Sequence, residues 1–188
     1  MSIKTLKWAA ILCFIFAMAV LLGGGVAMKK DLPPYPGKVA DSGGNLLFEK
    51  SDIIAGQDVY QRFGLMDHGA VWGHGSQRGS EFSATSLHII AEAVGDYLAM
   101  ADHGKSYAQL DDLQKEIIDV KTKAELKANR YDAASDTLKL SDAQVKGLER
   151  VVKHWGKTFK DGEIRYGFLP NTVPEEQQRL QVDRKSVV

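Results

Sequence analysis

Residues Trp8 to Met28 form an unbroken run of 21 residues without a charged side chain. No other feature restricts this chain as strongly. A helix rises ~1.5 Å per residue, so the run spans about 30 Å, the thickness of a bilayer's hydrocarbon core. Trp8 stands at one end, where an indole ring suits the membrane–water interface. A cleaved signal peptide is the rival reading, but its apolar stretch is usually only ~7–15 residues. Small residues precede Lys29 (Gly23, Gly24, Gly25, Ala27) without forming an A-x-A site. Residues 8–28 are therefore expected to be an uncleaved transmembrane helix. The short N-terminus is expected to stay cytoplasmic and the rest to lie outside.

The overall charge is zero, with 24 basic and 24 acidic residues, but its distribution is uneven. Residues 1–30 hold Lys4, Lys7, Lys29 and Lys30 and no acid, leaving 20 basic against 24 acidic residues in the remainder. A mildly acidic domain behind a basic-flanked apolar helix argues against a nucleic-acid partner and for a lipid bilayer. The one cysteine, Cys13, falls inside the apolar run, so an internal disulfide, a CxxC zinc site and a CxxCH haem attachment are all excluded.

Leu32-Pro33-Pro34-Tyr35-Pro36-Gly37 reads as a stiff linker over 29–37. The domain over 38–180 is expected to be mainly α, with short extended pieces at Leu46–Phe48 and Thr137–Leu140. Ser51 is read as the cap of a helix carrying Ile53, Ile54, Tyr60 and Phe63 and ending at Gly64. A second helix is expected over 83–103, burying Leu87, Ile90, Ala91, Val94, Leu98 and Ala101. A third is expected from Ser106 to about 130, burying Leu110, Leu113, Ile117 and Val120. A fourth, capped by Ser141 and stopped by Gly162, carries Val145, Leu148, Val151, Val152, Trp155 and Phe159 inward. Thr172 followed by Pro174-Glu175-Glu176 reads as a further helix start.

The unusual segment runs from Gly64 to Phe82, with five glycines among histidines and aromatics. Each glycine permits positive φ or close backbone approach, and such a loop often packs on a ligand or another chain. Several readings remain open from the residues alone. His68 and His74 are candidate metal ligands, although no third ligand stands at useful spacing. His74 or Met66 is a candidate axial haem ligand for non-covalent haem. No phosphate-binding glycine motif occurs. The plainest reading is a structural loop satisfied internally or against a partner. His88 reads as structural or exposed, His154 as exposed, His103 as complementing a helix C-terminus, and Asp111, Asp112, Glu116 and Asp119 as a solvated helix face.

The run Gly56-Gln57, Tyr60-Gln61, Gly64-Leu65-Met66-Asp67-His68-Gly69, Trp72-Gly73-His74-Gly75, Arg78-Gly79, Phe82-Ser83-Ala84 and Leu87-His88 resembles the N-terminal part of the large subunit of bacterial quinol-dependent nitric oxide reductases. Asn129-Arg130-Tyr131-Asp132, Leu138-Lys139-Leu140-Ser141 and Phe168-Leu169-Pro170 fit the same pattern. Gln77 departs from it, where the family usually has an aromatic, and Ser80-Glu81 stand where it has Pro-Asp. The resemblance implies one transmembrane helix in the bacterial inner membrane, then a cytochrome c-like domain on the periplasmic side that has lost its haem. It also implies a following body of membrane helices holding haem b, haem b3 and non-haem iron and reducing two NO to N2O. That body is the expected partner of this chain, which would hold no cofactor and have no catalytic residue of its own. Residues 181–188 depart from the family and read as a divergent tail, as if truncated. In cytochrome c-dependent relatives a calcium ion is held partly by carbonyls of a matching glycine turn. Carried over by position, those oxygens belong to Gly75 and Gln77, in an intact enzyme only. The alternative is an independent membrane-anchored extracytoplasmic binding or electron-transfer protein.

Overall fold

The computed structural model describes residues 2–31, 35–76 and 79–180. The chain divides into two compact units between Tyr35 and Pro36.

The first unit is α1 (Ile3–Asp31). Its stretch Ile3–Lys29 has a mean hydropathy of 2.5, with none of its apolar window buried, and is long and apolar enough to cross a membrane. It is apolar on all sides, the pattern expected of a helix solvated by lipid rather than one resting on a core.

The second unit opens with β1 (Lys38–Ala40) and β2 (Leu46–Glu49), followed by α2 (Lys50–Arg62). The strands β3 (Gly69–Val71), β4 (His74–Gly75) and β5 (Ser80–Glu81) lead into α3 (Phe82–His103). Then come α4 (Asp112–Lys127), β6 (Tyr131–Asp132), β7 (Thr137–Lys139) and α5 (Asp142–Asp161). Two small sheets result. One has the order β2-β1-β7-β6, with β1 parallel to β7, and the other has the order β4-β3-β5. The mainly helical class with short extended pieces is as expected from sequence.

The core lies between α3 and α5. They approach closely where Gly147 meets Ile90, since an added Cβ would stand 2.8 Å from the Ile90 side chain. α5 buries the stripe Leu148, Val151, Trp155 and Phe159, as its periodicity predicts, and Gly162 ends it with φ of 82°. Ser141 caps it through a reciprocal capping box with Gln144.

Other details differ from the sequence reading. Glu49, not Ser51, caps α2, exchanging bonds with Asp52. Leu110 adopts an extended backbone and Asp111 starts α4 afresh, so Ser106 begins only a 3-10 turn. α4 is also rotated. Ile118 and Thr122 are buried, whereas Leu113, Ile117 and Val120 are 68%, 44% and 62% exposed. On α3, Leu87 and Ala101 face solvent, while Ser86, Ile89 and Ala93 are buried instead. The helix expected at Thr172 begins only at 176, and the Thr172 hydroxyl donates back to the Leu169 carbonyl at 2.6 Å. The divergent tail 181–188 lies outside the described residues.

Candidate functional site

The glycine–histidine segment is the candidate site, and close packing explains its glycines. After α2, Gly64 takes a left-handed conformation and a 3-10 turn buries Leu65 completely. β3 then pairs antiparallel with β4 and parallel with β5. A Cβ on Gly79 would overlap the His68 carbonyl, and one on Gly69 would stand 2.4 Å from the Ser80 carbonyl. One on Gly75 would stand 2.5 Å from the Gly69 carbonyl and 2.7 Å from the Tyr60 hydroxyl. Only hydrogen fits at these positions.

Three side chains tie the segment to the helices: Tyr60, Glu81 and Ser83, whose hydroxyl accepts from the Trp72 N–H at 2.9 Å. The Tyr60 hydroxyl donates to the Gly69 carbonyl at 2.7 Å and lies 3.2 Å from that of His74. Burial, then the nearby charges of Glu81 and Asp67, push its pKa above the ordinary tyrosine value, so it stays a neutral donor. The Glu81 carboxylate accepts from the backbone N–H of Ser83 at 3.1 Å, capping α3. It also accepts from Trp72 N–H at 3.1 Å and from Gly73 N–H at 3.5 Å. One carboxylate thus fixes a helix start and a hairpin tip together. Sequence reading missed Glu81 in this role; its position just ahead of the apolar run of α3 was the available signal.

The hairpin tip is strained. Trp72 has φ of 53° and Gly73 has φ of 75°, the pattern of a two-residue type I′ turn. A bulky residue is a poor choice for the first of these positions, and the Trp72 ring is 62% exposed. Met66 is exposed as well, whereas Val71 and Phe82 are buried.

Behind the segment lies an aromatic cluster. Phe82 meets Trp155 edge-on at 5.1 Å and tilts on Phe168 at 5.9 Å, while Trp155 stacks on Phe159 at 5.7 Å. The His68 ring packs on Phe168 at 4.8 Å. His154, expected on the surface, is half-buried instead. Its ring meets Trp155 edge-on at 4.9 Å, and its Nε2 has no hydrogen-bond partner among the described residues. Burial, then the Arg165 charge, hold its pKa below the ordinary histidine value. A cleft of about 470 Å³ opens beside His68, lined also by Asp67, Ser80, Arg165 and Tyr166.

The structure does not gather the candidate ligands. His68 lies against Phe168, His74 and Met66 are exposed, and His88 sits in solvent 3.3 Å from Glu92. Gln77 lies outside the described residues. Among the described residues no three His, Cys, Asp or Glu side chains converge on a common point. The described residues therefore offer no ready ligand set for non-haem iron.

The architecture defines a mostly helical domain behind a helix of membrane-spanning length, with no cysteine pair for covalent haem. Residues 36–185 match the family described as the NorB cytochrome c-like domain of nitric oxide reductase, and the chain belongs to that family. No curated protein matches it.

Proposed function

We propose that this chain is the anchoring and docking portion of a quinol-dependent nitric oxide reductase large subunit. α1 holds it in the bacterial inner membrane through residues 8–28, residues 29–37 are the spacer, and residues 38–180 stand on the periplasmic side. The family match over 36–185, in a chain whose one cysteine is Cys13, carries this reading. A domain that cannot bind haem through thioethers cannot relay electrons as a c-type cytochrome, which agrees with the haem-less domain of the quinol-dependent enzymes. Haem b, haem b3 and iron, which supply the NO reduction, would be held by other membrane helices. The role of this chain is packing: the Glu81 and Tyr60 bonds present the Trp72 tip and the glycine hairpin as one rigid surface to those helices.

Calcium belongs to the same proposal. The carbonyls of Gly75 and Gln77 would supply two oxygens, and calcium takes six to eight. The remainder must come from the helical body, so the chain alone should not bind the ion tightly. In the assembled enzyme, Gly75→Val should lower calcium content and activity together.

The test is co-expression of the tagged full chain with a separately encoded catalytic body of a quinol-dependent nitric oxide reductase. Co-purification, with NO consumption that depends on the chain, is the expected result. A chain that never associates would overturn the reading in favour of an independent anchored protein.

A further inference from the structure

α4 carries two apolar faces and uses one. Ile118 packs with Leu110 and Ala99 in the cluster that joins α4 to α3. On the opposite side, Leu113, Ile117, Val120 and Ala124 are all exposed, at alternating steps of four, three and four residues. That spacing is the seam of a coiled coil, not the scatter of isolated surface residues.

The charges beside the seam are ordered. Along one edge lie Asp112 and Glu116 in the first half of the helix and Lys123 and Lys127 in the second. All four are exposed, and none forms an ion pair among the described residues. This ordering is self-complementary only when two copies run antiparallel. Leu113 then faces Ala124 of the second copy, Ile117 faces Val120, Glu116 faces Lys123, and Asp112 faces Lys127. Two-fold symmetry forms every pair twice. In a parallel pair the two copies of this edge lie on opposite sides of the seam, so neither charge pairing forms. A lipid surface suits the helix less well, because Asp112–Lys127 holds four acidic and four basic residues, not the Lys-rich polar face of an interfacial helix.

We infer that the outer face of α4 is a homotypic docking surface, pairing antiparallel with α4 of a second copy of this chain. A single helix seam is a small interface. If α1 anchors both copies in one membrane, as proposed above, confinement raises their effective concentration and offsets the small area.

The test uses the full chain in native membranes, with Cys13→Ser as background. Leu113→Cys and Ala124→Cys are combined in one chain. Along a helix they stand roughly 16 Å apart, too far for a bridge within one chain, since disulfides join Cα atoms within about 7 Å. Oxidation with copper phenanthroline should give a covalent dimer from the double variant and from neither single variant. Adding Glu116→Lys should weaken the dimer band about threefold or more, and Glu116→Lys with Lys123→Glu should restore it. All of these positions are exposed, so the fold tolerates the changes. No dimer band, equal bands from the single variants, or bands indifferent to the charge reversals would each overturn the inference. Leu113→Cys shielded from a maleimide only when lipid is present, with no dimer band, would assign the seam to lipid instead.

Discussion

The Trp155 indole N–H donates to the Ser86 hydroxyl oxygen at 2.9 Å, and both residues are buried. This bond joins α5 to α3 at the centre of the aromatic cluster. Ser86→Ala leaves a buried N–H without its acceptor and should cost about 1–3 kcal/mol. Trp155→Phe removes the donor, so adding it to Ser86→Ala should cost less than the two single losses together. Denaturant midpoints followed by near-ultraviolet circular dichroism would measure this, and strict additivity would contradict it.

Glycine substitutions should separate two effects at the hairpin. Gly73 has φ of 75° but no atom within 4 Å of an added Cβ, so Gly73→Ala carries backbone strain alone, about 1 kcal/mol. Gly75 has φ of 141° and meets the Gly69 carbonyl and Tyr60 hydroxyl as well. Gly75→Ala should therefore cost clearly more, about 2 kcal/mol or above. Equal losses in thermal unfolding would show that the close contacts do not matter.

The fold was legible where one periodicity dominates. α5 has one apolar stripe, and every residue assigned to it from sequence lies inside or half inside. α4 has Ile117 and Ile118 side by side, about 100° apart around a helix. The longer stripe, through Leu113, Ile117 and Val120, wins any count of local pattern. The domain buries the other, because contact with Ala99 and Leu110 decides the rotation. The site was legible as a segment but not in its chemistry. The glycines marked close approach, yet the groups that meet them, the His68, Ser80 and Gly69 carbonyls and the Tyr60 hydroxyl, come together only in the folded hairpin. His154 looked exposed beside Lys153, but the aromatic residues of α5 and the turn at Tyr166 enclose it.

That enclosure makes stability depend on pH. The native pKa of His154 is lowered from 6.5 by burial and by Arg165, so the unfolded chain takes up the proton first. Stability contributed by the neutral imidazole is complete above the unfolded pKa and declines as pH falls from about 7 towards 5. His154→Gln should flatten the melting-temperature profile over that window and leave it unchanged at about pH 8. A profile with the same slope in both proteins would assign the dependence to other groups.

Trp72 separates stability from docking. A tryptophan with φ of 53° costs roughly 1 kcal/mol or more relative to a residue that accepts a left-handed conformation. Asn-Gly is the favoured pair for a type I′ turn, and Glu81 contacts only backbone N–H groups at this tip, so it would hold the replacement equally well. Trp72→Asn should therefore raise the melting temperature of the free chain. If the exposed ring is the contact offered to the catalytic helices, the same change should weaken co-purification with them. A stabilised chain that binds the helices as tightly as before would remove Trp72 from the docking surface and leave its strain unexplained.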